Sequence, residues 1–198
     1  MFEQNFYILD EKYSGYAEAV YKDNKTEVSE CSLCAGRKVM RISELSVYFK
    51  GKKQADFYTA TNYSIISSKF LKILQLGNIS GYTLANINSL GWYDGKGNPL
   101  NIDTSDLKEL VVEGRCGYLR HQDGTQIDKC EKCGRFLPEA KSKVHGLSVD
   151  IDEWDKSDIF FFKNWFGMII ITQKVKDLLE QNKITNIKFQ NIKDFKFI

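Results

Sequence analysis

Two Cys-x-x-Cys pairs, "CSLCAG" (Cys31–Gly36) and "CEKCG" (Cys130–Gly134), stand 95 residues apart in this chain. A gap of two residues sets both sulfurs of one tight turn facing a single ion, and a tetrahedral zinc needs two such turns. Pairs this distant cannot form a local ribbon, so the fold must bring remote segments together. Cys31, Cys34, Cys130 and Cys133 are therefore the expected ligands of one structural Zn2+ per chain. Four thiolates leave no position for water or substrate, which points to a structural and not a hydrolytic role. Glycine after the second cysteine lets the backbone turn left-handed so that N–H groups approach the sulfurs. Gly134 supplies it in the second pair, whereas in the first Ala35 intervenes and Gly36 comes one residue late.

The fifth cysteine, Cys116, has no partner at motif spacing and is expected to be a buried small hydrophobe. An odd count fits reduced thiols in the cytoplasm better than a disulfide framework. A redox-active pair belongs at the start of a helix, but "CEKCGRFLP" turns and reaches Pro138 instead.

The chain also resembles itself. Set without a gap, "YSIISSKFLKILQLGNISGYTLANI" from Tyr63 and "MIIITQKVKDLLEQNKITNIKFQNI" from Met168 share seven identities, among them Ile65/Ile170, Lys69/Lys174 and Leu74/Leu179. Each copy opens on a β-branched run, meets Ser67 or Thr172 as a helix N-cap, and continues with apolar residues at helical spacing. Gly77 or Asn182 is expected to take positive φ at the helix end, before a second strand. Upstream, "DFYTATNY" from Asp56 is similar to "DIFFFKNW" from Asp158, with a small length difference before the helix. The expectation is an α+β protein: one compact domain, residues 1–198, of two similar halves (roughly 1–100 and 101–198). Each half is a CxxC knuckle plus a strand-helix-strand unit, and one structural zinc joins them.

Composition is that of a soluble globular chain, 42% apolar and 27% charged, with a formal charge of +2 and no basic block to track a phosphate backbone. The start carries no signal-peptide pattern, and the apolar stretch Phe160–Ile171 is broken by Lys163 and Asn164, so no membrane partner is expected. No phosphate-cradling glycine loop, GxSxG or HExxH occurs, and His121 and His145 stand alone, so an enzyme is not expected. Two segments are candidate protein contacts: Trp92 and Tyr93 in the Asp94-Gly95 turn, and the acidic run Asp150, Asp152, Glu153 and Asp155.

Together, "NFYILDEKYSGY", the two cysteine motifs and "DIFFFKNWFGMIIITQKVKDLLEQNKITNIKF" resemble the bacterial double-CXXCG motif proteins. That family includes immunity proteins carried beside contact-delivered polymorphic toxins. The resemblance implies a cytoplasmic, non-catalytic protein that binds and neutralises a cognate protein toxin. Only the four cysteines carry over as functional positions. The alternative is a zinc-ribbon-like nucleic-acid binder, using Arg37 and Lys38 beside one pair and Lys129, Lys132 and Arg135 beside the other.

Overall fold

A computed structural model describes residues 4–13, 15–137, 139–140 and 144–197; Pro138 lies outside them. In chain order the elements are β1 (Phe6–Glu11), β2 (Glu18–Tyr21), β3 (Thr26–Glu30), β4 (Arg37–Arg41), β5 (Leu45–Lys50), β6 (Phe57–Ala60), β7 (Tyr63–Ile66) and α1 (Ser68–Leu76). Then come β8 (Tyr82–Ala85), β9 (Ile87–Tyr93), β10 (Lys108–Val112), β11 (Gly114–Arg115), β12 (Arg120–His121), β13 (Leu147–Ser148), β14 (Ile159–Phe162), β15 (Trp165–Thr172), α2 (Gln173–Gln181) and β16 (Ile187–Asn191). The architecture is mixed and sheet-rich, in keeping with the expected α+β class.

Two sheets carry the frame, ordered β6-β7-β10-β8 and β11-β14-β15-β1-β16. Each contains a hairpin with a two-residue loop, Ala60 opposite Tyr63 in one and Phe162 opposite Trp165 in the other. A helix follows each hairpin, and its return strand lies one place away in the sheet. The strand filling that gap comes from far along the chain: β10 between β7 and β8, β1 between β15 and β16, all antiparallel. Leu110 faces Ser64 and Leu84, while Leu9 faces Ile169 and Phe189. In the gapless alignment above, Ser64 falls on Ile169 and Leu84 on Phe189. The length difference before the second helix emerges as a register shift in β15 opposite Phe161.

Both helices lie over the same buried cluster, Phe70, Ile73 and Leu74 from α1 with Val175 and Leu179 from α2, against Leu9, Leu110, Ile66 and Ile171 from the sheets. The apolar spacing of each helix turns one face inward, as an amphipathic helix requires. Gly77 has φ −79°, and the left-handed residues are the next ones along, Asn78 (φ 47°) and Lys183 (φ 51°), which corrects the expectation for Gly77 and Asn182. The bare Cα of Gly77 instead faces a side chain of the other helix. A Cβ there would meet Leu178 Cδ2 at 2.4 Å, so the end of α1 lies close against α2.

Two aspartates fasten the units reciprocally. Asp56 accepts hydrogen bonds from the Ser67 hydroxyl (2.9 Å) and from the Thr185 N–H (2.9 Å) and hydroxyl (2.8 Å), with Lys69 at 3.3 Å. Asp158 accepts from the Thr172 hydroxyl (3.2 Å) and from the Ser80 N–H (3.1 Å) and hydroxyl (3.2 Å), with Lys174 at 3.4 Å. Each carboxylate thus ties its own helix start to the loop after the other helix. Ser67 also caps α1 through Phe70 N–H, whereas Thr172 makes no such cap bond and spends its hydroxyl on Asp158.

Burial alone would raise the Asp56 carboxyl, but the Thr185 and Ser67 donors and Lys69 outweigh it and hold the carboxyl below the ordinary aspartate range. A depressed folded pKa means stability present above the unfolded value and lost as pH falls through the folded one. Asp56→Ala is expected to cost about 2 to 3 kcal/mol in urea unfolding at pH 7, the scale of hydrogen bonds to a charged group. That difference from wild type begins to shrink as the pH falls below about 4, the unfolded value, and is gone once the pH is below the lower folded value, where the native carboxylate is protonated.

Candidate metal centre

The first cysteine pair forms the turn between β3 and β4, a two-stranded ribbon with solvent on both faces. The second lies between Lys129 and Phe136, which are bridged to each other, and Phe136 packs against the cluster built on Leu119, Ile127 and Phe162. The two turns share one hydrogen-bond scheme. In the first, Cys31 N–H donates to Gly36 O (3.0 Å) and Ala35 N–H to Cys31 O (2.8 Å). In the second, Cys130 N–H donates to Arg135 O and Gly134 N–H to Cys130 O, both at 2.8 Å. Gly134 takes φ 73°, and Ala35 takes the equivalent place at φ 52°. An alanine therefore holds the left-handed position of the first knuckle, and the late Gly36 leaves the turn unaltered.

All four sulfurs lie within 4.8 Å of one another, with Cys31 Sγ 3.9 Å from Cys130 Sγ and Cys34 Sγ 3.7 Å from Cys133 Sγ. A tetrahedron with metal–sulfur arms of about 2.3 Å has edges of about 3.8 Å, whereas a disulfide closes to about 2.05 Å. None of the five cysteines is bridged. The sulfur spacing fits one tetrahedral ion, and an all-thiolate donor set selects a soft or borderline metal such as zinc. Cys130 is buried, Cys31 and Cys34 are half-buried, and Cys133 is exposed.

Electrostatics explain why a cation belongs there. The backbone N–H groups of Cys34 and Leu33 point at Cys31 Sγ and bring that thiol down to about 6. Those of Cys133 and Lys132 lower Cys130 in the same way. At Cys34 the Gly36 N–H acts downward too, but burial and the three neighbouring sulfurs overcome it and push the thiol up to about 11. One thiolate forms readily and the next resists, because like charges crowd within a few ångströms. A divalent ion removes that resistance, since a coordinating thiol is deprotonated outright.

Contacts that the spacing of the cysteines could not announce join the knuckles: Lys132 Nζ donates to Ser32 Oγ (2.6 Å), and Arg135 reaches Arg37 O (3.5 Å). The ribbon's far end is held by Arg41, whose guanidinium meets both Glu109 oxygens at 2.6 Å. That pair is nearly dry, with side-chain exposures of 12% and 5%. Burial lifts the Glu109 carboxyl above its ordinary value even against the pull of Arg41.

The remaining sequence candidates lie elsewhere. Trp92 is buried, stacked on Phe49 at 4.6 Å with its indole N–H on Gly51 O (2.5 Å), so it belongs to the core and offers no surface to a partner. Tyr93 is half-buried beside it, at the base of a loop in which Asp94 accepts from Lys96 and Asn98 N–H. Asp152, Glu153 and Asp155 are exposed, but Asp155 accepts from Arg115 and Ser157 N–H, Glu153 faces Lys163 and Asp150 pairs with Arg120. Cys116 is fully buried, and burial pushes its thiol far up, as a small core residue requires. His121 and His145 line one open, shallow cavity with Asp123, away from the sulfurs. No helix is long and apolar enough to cross a membrane among the described residues. Compared with known proteins, the chain matches no family model and no curated sequence.

Two measurements test the centre. With metal bound, no cysteine is expected to react with Ellman's reagent; a chelator frees four thiols, and Cys116 reacts only on unfolding. Ala35→Gly removes a left-handed penalty of about 1 kcal/mol, so competition with a zinc indicator should show about fivefold tighter binding.

Proposed function

We propose that the chain is a zinc-stapled immunity protein of the double-CXXCG type, which binds a cognate bacterial protein toxin in the cytoplasm and blocks it without catalysis. The observation that carries this reading is the convergence of both cysteine motifs on one four-sulfur cluster. Such a closed site suits one structural Zn2+ per chain and assigns the cysteines to architecture. Binding then falls to the surface. Related halves are part of the same proposal. The equivalent placement of Leu9 and Leu110, and the matching Asp56 and Asp158 fastenings, support a duplicated unit in which each half lends its first strand to the other.

A nucleic-acid role would rest on the cations beside the knuckles. Lys132 and Arg135 are engaged across the knuckles, and Lys129 sits over the Tyr118 ring at 4.7 Å. Those contacts favour a scaffold for the sulfur cluster over a phosphate-binding stripe.

The test is co-expression with the toxin encoded beside this chain's gene. Bacteria making the toxin are expected to survive when the chain is present, and the two proteins to co-elute with one zinc per chain. Unchanged killing with no co-elution would discard the immunity reading.

A further inference from the structure

The β3–β4 ribbon is unusual for this chain in what it leaves uncovered. Half of the exposed large apolar side chains described, Val28, Leu33, Val39, Met40 and Ile42, sit on it or at its ends. An isolated two-stranded hairpin is marginal in water, and an apolar one with free edges invites a further strand. Between the ribbon and the body runs a groove of about 570 Å3, in the range of ligand sites. Four consecutive ribbon residues, Lys38 to Arg41, border it. Neighbouring side chains on a strand point to opposite faces, so four in a row can border one groove only if the strand is presented edge-on.

That edge has no partner strand among the described residues. The hydrogen bonds of Cys31 N–H to Gly36 O and of Ile42 N–H to Lys25 O fix which residues pair within the ribbon. By the alternation of an antiparallel ladder, the N–H and C=O of Val39 point away from β3. The opposite wall is aromatic, with Phe161, Trp165 and the 46%-exposed Phe166. Charge around the groove is positive beyond the neutral Arg41–Glu109 pair. Lys38 borders it, and Arg115, whose guanidinium donates to Val112 O (2.9 Å) and Gly114 O (2.7 Å), lies 5.6 Å and 5.5 Å from the Phe161 and Phe166 ring centres; among the described residues neither side chain is in an ion pair.

We propose that this groove is a docking site for an extended, acid-bearing segment of a protein partner, which adds as a strand to the free edge of β4. Main-chain bonds to Val39 supply affinity, apolar side chains rest on Phe166, and carboxylates answer Lys38 and Arg115. The zinc knuckle holds the ribbon end of the groove in place. The site is independent of the identity of any toxin.

Fluorescence anisotropy on the zinc-loaded full chain tests it, with a labelled, end-blocked hexapeptide alternating Asp and Leu as the probe. The acidic peptide is expected to bind about tenfold more tightly than its counterpart with Lys in place of Asp, the scale of one favourable charge pair. N-methylation of alternate peptide nitrogens should abolish binding in one register and spare it in the other. Lys38→Glu and Phe166→Ala, both at exposed positions, should each weaken binding while leaving zinc content and melting temperature unchanged. Equal affinity for both peptides, no binding, indifference to either variant, or equal tolerance of both N-methylated forms would overturn the proposal. Tighter binding of a single-stranded oligonucleotide than of the acidic peptide would overturn it in favour of nucleic acid.

Discussion

Four sulfurs from turns 99 residues apart repel one another once they ionise, and the fold brings them together all the same. A cation held by all four would remove that repulsion and join the ribbon to the body. One of the two turns leads through Phe136 into a hydrophobic cluster and the other is carried out into solvent. An ion held there would anchor a weak element to a strong one. Structural zinc contributes about 10 to 16 kcal/mol in small finger peptides, as much as the roughly 5 to 15 kcal/mol net stability of a whole domain. The central core beneath both helices has no sulfur in it and stands apart from that contribution.

The asymmetry between the two knuckles is as informative as their likeness. Their backbone hydrogen bonds agree donor for donor, down to a left-handed alanine standing where its counterpart is glycine. Yet the strands leading into the first are exposed at nearly every residue, while Cys130 of the second is buried. One turn is thus seated in the body of the protein, and the other is carried on a ribbon.

Much of this was legible in the sequence because its signals were local. The CxxC spacing named the four cysteines that the fold brings together, and helical periodicity placed α1 and α2. The alignment of Tyr63 with Met168 matched segments that prove to share hairpin, helix and return strand. What escaped was non-local. Nothing near β1 announces that its partners are β15 and β16, and Arg41 gives no hint of Glu109, 68 residues on. Trp92 looked like a turn aromatic ready for a partner, but the turn residues Asp94 and Asn98 bond to one another and the indole falls inward. Gly77 was misread for a related reason: its bare Cα faces Leu178, a contact between helices that no window along the chain contains.

The placement of β1 reaches beyond the finished structure to the order in which it can be made. Leu9 is synthesised 160 residues before its neighbour Ile169 and 180 before Phe189. Contacts this far apart in sequence slow folding, because the loop must close before any pairing rewards it. In the five-stranded sheet β1 is made before both of the strands it lies between, so it must wait, without them, until β15 and β16 emerge. Synthesis stalled before residue 169 would strand β1 without the neighbours that cover it, leaving a hydrophobic segment for chaperones or proteases to find.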